Sequence, residues 1–283
     1  MDYGTLYLVA TPIGNLGDIS QRAVEVLESA DLIAAEDTRR TVQLLNHFGI
    51  SRPLTSYHEH NKREKGEYII SLLKQGKTIV QVSDAGTPAI SDPGEDLVRL
   101  CIDNGINVTS VPGAVAGINA LILSGLNTRR FAFEGFLSVN KRHRYEHLES
   151  VKNDPHTLIF YEAPHKLRTT LEDMQKYFGG ERRIALVREL TKLHEEVIRT
   201  DINGAIAKYA EQSPRGEYVL VVEGADEDAL AAEAEQAWAD MSVKEHVESY
   251  IAKGMDVKAA IKQAATDRGV PKREVYSEYH LKE

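Results

Sequence analysis

Short apolar runs recur along this chain, and nearly every one leads into a segment with helical spacing of apolar residues. Thr5-Leu6-Tyr7-Leu8-Val9-Ala10 reads as a strand, residues 11–17 as a loop, and the segment to Ser29 as a helix capped by Asp18 or Ser20. Residues 31–35 give a second buried strand, and residues 40–48 a helix stopped by Gly49. A third strand at 53–57 leads through the polar His58-Glu59-His60-Asn61 into a helix ending at Gln75. Strands at 78–82 and 107–111 complete the series. Such strict alternation predicts a parallel, doubly wound α/β domain over residues 1–113.

The pattern then changes. Strands at 131–136, 157–161, 183–187, 195–200 and 217–222 are separated by only two longer helical stretches, and two strands join through a short link near Lys192. This predicts a second α/β domain over 114–224 with a mixed sheet containing antiparallel pairs. Residues 225–283 form the third region, opening with an acidic, alanine-rich linker that runs into a helix. Helical patterns follow at 242–253, 256–268 and 271–280, with Gly254 and Gly269 at the breaks and Pro271 opening the last. These have the proportions of a helix-turn-helix, and equally of a small docking or capping element.

The most informative loop is Ser83-Asp84-Ala85-Gly86-Thr87-Pro88-Ala89-Ile90-Ser91-Asp92-Pro93-Gly94. A plain turn needs two to six residues. Twelve residues this rich in Gly, Pro, Asp and hydroxyls, at the carboxyl end of a strand, predict a ligand-binding loop. Residues 11–17, 112–117 and 161–166 are similar loops, where Gly and Pro let the backbone approach a ligand. The first loop has Pro12 where a dinucleotide fold needs glycine, and no Lys-Ser/Thr pair makes a phosphate loop. Nicotinamide cofactors and nucleoside triphosphates are therefore disfavoured, and a cationic or zwitterionic ligand is favoured.

Composition narrows the class. With 283 residues, 42% hydrophobic and 27% charged, the chain suits two or three globular domains. No apolar run reaches the roughly 20 residues of a membrane span, and Met1-Asp2-Tyr3-Gly4 does not open a signal peptide. The single Cys101 excludes an internal disulfide and a thiolate metal cluster, so the expectation is a reducing cytoplasm and no metal. A net charge of −9 argues against nonspecific coating of nucleic acid. Basic clusters nevertheless stand at Arg39-Arg40, Lys62-Arg63 with Lys65, Arg129-Arg130 and Lys141-Arg142-His143-Arg144. Each alone reads as a solvated face; together they are a candidate phosphate track.

Residues 8–18, 35–39, 83–94, 111–114, 160–166 and 216–219 together resemble the tetrapyrrole methylase fold of S-adenosylmethionine-dependent methyltransferases. Within it the chain is similar to the ribosomal RNA small-subunit methyltransferase I family, whose helix-turn-helix extension the terminal helices resemble. Two departures stand out: Lys166 where Arg is expected, and Thr87 where many relatives have Asp. The resemblance implies a homodimer, and a methyl donor in a cleft between the two α/β domains. The donor would lie against Pro12, Ile13, Ala85, Gly86, Thr87, Ile90, Val115, Ala116, Tyr161, Glu162 and Leu190. For Ile90, Val115 and Leu190, simple core packing is an equal reading.

The implied reaction is transfer of the sulfonium methyl of S-adenosylmethionine to the 2′-hydroxyl of a cytidine in the decoding region of small-subunit ribosomal RNA, with the 30S subunit as partner. Proximity and in-line alignment supply most of the rate. Candidate bases are Glu36, Asp37, His58 with His60, and His165, each of which also reads as a cap or hydrogen-bond partner. Asp37 in particular stands where it pairs with Arg39. Candidate RNA contacts are Arg39, Arg40, Arg129, Arg130, Lys141, Arg142 and Arg144. Two rivals remain at this point: carbon methylation of a tetrapyrrole on the same fold, and a nucleic-acid-binding regulator that uses the terminal helices.

Overall fold

A computed structural model describes residues 3–229, 238 and 241–280. By internal contacts the chain forms two compact units, Met1–Lys152 with His156–Glu223, and Asn153–Pro155 with Gly224–Glu283. The first unit holds two five-stranded sheets.

Strands β1 (Thr5–Val9), β2 (Leu32–Ala35), β3 (Leu54–Ser56), β4 (Ile79–Val82) and β5 (Asn107–Val111) pair in the order β3-β2-β4-β1-β5, all parallel. β2 and β4 are buried on both faces, which is why β2 reads as an unbroken apolar run and β4 as one broken only by the buried Gln81. Helices α1 (Gln21–Ser29) and α2 (Thr38–His47) bury Ala23, Leu27 and Leu45 against one face. Helices α3 (Lys62–Lys74) and α4 (Gly94–Asp103) bury Ile69, Leu73, Leu97 and Cys101 against the other. Ser20 caps α1 by accepting the Ala23 N–H. α2 begins two residues earlier than the pattern predicted, because Asp37 caps it.

After β5 the chain enters α5 (Ala116–Ser124), which packs Ala120 and Leu121 on the second sheet. That sheet contains β6 (Phe131–Phe136), β7 (Thr157–Glu162), β8 (Arg183–Arg188), β9 (Glu196–Asp201) and β10 (Tyr218–Val222), in the order β6-β7-β10-β8-β9. Only β6 and β7 run parallel, giving the mixed sheet expected from the sequence. Its opposite face is covered by α6 (Lys141–Val151), α7 (Leu167–Phe178) and α8 (Ile202–Glu211). The sequence reading allowed two helices here. The third, α8, carries Gly204 and three separate alanines, Ala205, Ala207 and Ala210, in only ten residues, and Asp201 starts it by accepting the Gly204 N–H at 2.7 Å.

The second unit packs α9 (Val243–Ala252), α10 (Val257–Asp267) and α11 (Lys272–His280) around Val247, Ile261, Ala264 and Val275. Ser242 and Glu245 form a capping box, and Gly254 and Gly269 adopt left-handed φ values of 94° and 62° at the breaks. Much of the expected acidic linker and its helix, residues 230–237 with 239 and 240, lies outside the described residues.

Because both sheets and their covering helices are complete by Glu223, a chain ending at Gly224 is expected to melt cooperatively with the first unit's secondary structure intact. Circular dichroism melting checks this. A product without a cooperative transition overturns the boundary at 224.

Candidate active site

The site grows from loops at the carboxyl ends of β1, β4 and β5. Thr11 and Gly86 exchange two backbone hydrogen bonds, Thr11 N–H to Gly86 C=O at 2.9 Å and Gly86 N–H to Thr11 C=O at 3.1 Å. The Thr87 hydroxyl donates to the Ala114 carbonyl at 3.1 Å, tying in the third loop. Gly86 has φ 82°, and a Cβ there would stand 3.1 Å from Ile13 Cγ2 and 3.3 Å from the Ala114 carbonyl. Ala89 and Ser91 also take left-handed φ values, 67° and 62°. Such conformations cost on the order of 1–3 kcal/mol each and need support. Asp92 gives it: its carboxylate accepts the backbone N–H groups of Gly94, Ala89 and Ile90.

A second strained loop faces the first. Glu189 and Thr191, in the β8–β9 hairpin, have φ values of 50° and 67°. A Cβ on Gly14 would meet Lys192 Cγ, Thr191 Oγ1 and the Leu190 carbonyl, so the first loop presses its backbone on this hairpin. Tyr161, at the end of β7, accepts the Gly117 N–H at 3.1 Å and packs edge-on against Phe133 and Phe136. Burial pushes its hydroxyl pKa up.

These loops enclose a cavity of about 540 Å³. Of the eleven residues the sequence assigned to the donor, ten line it: Ile13, Ala85, Gly86, Thr87, Ile90, Val115, Ala116, Tyr161, Glu162 and Leu190. Pro12 does not; it faces a smaller neighbouring cavity. The sequence reading missed Asp84, Asp92, Phe136, Lys192, Glu217 and Val219 as lining residues. Asp84, Asp92 and Glu217 stood inside quoted motifs, whereas Phe136 and Lys192 carried no signal.

The candidate bases separate clearly. Glu36 lines the cavity; the others do not. Burial first, then the charges of Asp84 and Asp92, raise its carboxyl pKa above the usual range. Asp37, one residue on, is held down to about 2 by hydrogen bonds to Arg39, whose Nε and Nη2 lie 3.0 and 2.8 Å from its oxygens. It also caps α2, so its lone pairs serve the fold. His58 keeps a buried, unpartnered Nδ1 away from the cavity, and His60 and His165 are exposed outside it. Asp84 clasps this corner: its carboxylate accepts the Asp37 N–H at 2.9 Å and pairs with Arg40 at 3.4 Å, while its own N–H donates to Glu36.

The lining carries Glu36, Asp84, Asp92, Glu162 and Glu217 against Arg40 and Lys192. Lys192 is itself paired with Glu217 at 2.7 Å and Glu189 at 2.9 Å. Glu162 ties β7 to α7 by accepting the Ala163 N–H and the Thr170 hydroxyl. A partly apolar chamber with surplus negative charge and a backbone wall at Gly86 fits a cationic ligand of small-cofactor size.

The basic candidates are less uniform. Arg40 lines the cavity, and Arg39 is exposed beside it but bound to Asp37. Lys141 and Arg142 begin α6, shortly after Phe136 leaves the cavity wall, with Arg142 paired to Glu146. Arg129 and Arg130 precede β6 and stand at the end of that strand away from Phe136. Arg144 turns inward: its side chain is 12% exposed, pairs with the 6% exposed Asp173 at 2.8 Å and donates to the Ser138 carbonyl. Geometry therefore removes Arg144 from the RNA-facing set; it joins α6 to α7.

Comparison with known proteins adds the last element. The family model of tetrapyrrole (corrin/porphyrin) methylases matches residues 5–205. A Halalkalibacterium halodurans protein named ribosomal RNA small subunit methyltransferase I is 52% identical over 99% of this chain and 96% of its own. The Bacillus subtilis protein of that name is 51% identical over 100% and 96%. The crystal structure of uroporphyrin-III-C-methyltransferase from Thermus thermophilus matches with a TM-score of 0.56 and 20% identity, over 77% of this chain and 94% of that one, a likeness of fold. The chain belongs to the tetrapyrrole methylase family and, within it, to the ribosomal RNA small subunit methyltransferase I proteins.

Proposed function

We propose that this protein methylates small-subunit ribosomal RNA at the 2′-oxygen of a cytidine in the decoding region, with S-adenosylmethionine as donor. What supports the reading is the match of about half its residues, along nearly the whole chain, to proteins named ribosomal RNA small subunit methyltransferase I. The donor's volume, positive charge and apolar parts suit the cavity walls around Gly86, Ile90, Val115 and Leu190. Bound there, it supplies an electrophilic methyl whose thioether leaving group needs no acid. The chain's own residues align the ribose, exclude water and take the hydroxyl proton. Glu36 is the acceptor this reading favours, since it alone among the candidates reaches the cavity with a raised pKa. Carbon methylation of a tetrapyrrole fits poorly, because its carboxylates would meet Glu36, Asp84, Asp92 and Glu217.

A homodimer and a cytoplasmic location belong to the same reading. α5 is apolar on its outer as well as its inner side: Ala120 and Leu121 are buried, yet Ile118 and Ile122, 42% and 65% exposed, form an outer stripe. Phe131 and Phe133 are exposed on β6, an edge strand, and Phe133 lies 3.6 Å from where a Cβ on Gly117 would stand. A second copy covering this face removes both the stripe and the open edge. Cytoplasmic ribosomes are where this substrate is found, and no helix among the described residues is long and apolar enough to cross a membrane.

Three measurements test the reading. Methylation mapping of small subunits incubated with protein and donor should show one new 2′-O-methylcytidine, and its absence rejects the function. Glu36 works ionised, so kcat should rise with pH through a pKa above the usual carboxylate range. Glu36→Gln should lower kcat by roughly 10²–10⁴-fold and abolish that limb without lowering the melting temperature. A retained limb assigns the proton to another group.

Lys141→Ala or Arg142→Ala should flatten the salt dependence of RNA binding by about one unit of slope. Arg144→Ala should instead lower stability by about 3–5 kcal/mol, since it leaves a buried Asp173 with only the longer contact to Lys176 at 4.0 Å. Equal salt effects from all three would contradict the assignment. Finally, sedimentation should find a dimer that Ile122→Glu converts to a monomer; a monomeric wild type rejects the interface.

A further inference from the structure

Beside the main cavity lies a smaller one of about 270 Å³, sharing with it Arg40, Ser83 and Asp84. We infer that this side cavity seats the base of the nucleotide whose ribose is methylated, with the ribose held at the shared Arg40–Asp84 wall. The inference rests on the RNA reading above and adds to it the subsite that selects an extruded nucleotide.

Connectivity is the first argument. Base and ribose are separated by one glycosidic bond, so a nucleoside spans two adjoining cavities only if they share a wall. Here they do, and Glu36 lines the larger one beside that wall. Phosphates flanking such a ribose meet Arg40, whose side chain is 64% exposed and paired only with Asp84 at 3.4 Å among the ion pairs of the described residues.

The lining chemistry is the second argument. Pro12 and Leu16 come from the first loop and Leu44 from α2, offering apolar surface to the flat faces of a base. Gln43 contributes a carboxamide, which both donates and accepts and so serves a pyrimidine edge. The volume is too small for donor and nucleotide together and suits a single base.

Rigidity is the third. Leu16 is 42% exposed, yet it sits on a single 3₁₀ turn, Leu16–Asp18, whose cap Asn15 accepts the Gly17 N–H at 3.0 Å. Across the cavity, the Thr41 hydroxyl donates to the Asp37 carbonyl at 3.2 Å and fixes the first turn of α2. A cavity formed in advance repays the cost of unstacking a nucleotide.

The test is a two-by-two cycle on small subunits reconstituted with RNA carrying either cytidine or an abasic ribose at the mapped position. For the wild type, removing the base should lower kcat/KM by about tenfold or more. Leu44→Trp, which fills the cavity, and Gln43→Ala, on an exposed helix face, should each lower kcat/KM on cytidine RNA by a similar factor. Neither should change S-adenosylmethionine affinity by calorimetry or the melting temperature. On abasic RNA these variants should equal the wild type, because the base they touch is gone. Losses that multiply in both variants, or variants as active as the wild type on cytidine RNA, overturn the subsite while leaving the function standing. A wild type that methylates neither RNA overturns both.

Discussion

Two backbone hydrogen bonds between Thr11 and Gly86 hold the architecture of the site together. β1 and β4 are neighbours in the parallel sheet, and this pair continues their contact beyond the strand ends, where the chains would otherwise splay. The Ser83 hydroxyl also donates to the Gly86 carbonyl, at 3.3 Å. With the two loops closed on each other, the roof of the cavity is backbone, and only glycine fits at φ 82° between Ile13 and Ala114. The strain at Ala89 and Ser91 follows, since the chain must still reach the start of α4. Asp92 stabilises that detour by satisfying three N–H groups at once.

Charge is partitioned between interior and rim. Carboxylates dominate the cavity lining, while exposed cations stand on Arg40, paired to Asp84, and at the start of α6 on Lys141 and on Arg142, paired to Glu146. A phosphate backbone is repelled by such an interior and held by such a rim. On the proposed reading, only the neutral parts of a nucleotide enter, and the one positively charged reactant is the one the chamber attracts. The same carboxylates that favour a cation also raise the pKa of Glu36. On that reading the lining charge serves substrate sorting and, after burial, base strength.

The fold was largely legible because its core strands alternate with helices whose apolar spacing is regular. β2 and β4 showed themselves as apolar runs, the second interrupted only by Gln81, and α9 to α11 by their glycine breaks. The exceptions have local reasons. α8 is short and small-residue-rich, and α2 starts early because a side chain, Asp37, takes up its first free N–H group. The loops that line the cavity were legible through Gly and Pro, which report backbone geometry directly. Side-chain partnerships were not. Arg144 and Arg142 are two residues apart in one basic cluster, yet Arg144 makes a buried pair with Asp173, 29 residues away, and Arg142 an exposed one with Glu146, a turn along its own helix. Composition counts charges; only tertiary packing tells which of them are already neutralised.

Glu36 and Asp37 carry that lesson into the chemistry. They are adjacent, both acidic, and both follow the same buried strand, so nothing local ranks one above the other. Helix geometry separates them: Asp37 must face the first turn of α2 to cap it, which brings Arg39 onto its carboxylate. Its neighbour is thereby left to face the cavity, where Asp84 donates one N–H and imposes one like charge. One carboxylate becomes too weak a base to take a proton near neutral pH, and the other is desolvated and strengthened. On the proposed reading, a capping residue thus decides which acid is available for proton transfer, and Asp84, which holds the Asp37 N–H and borders both cavities, fixes that choice in place.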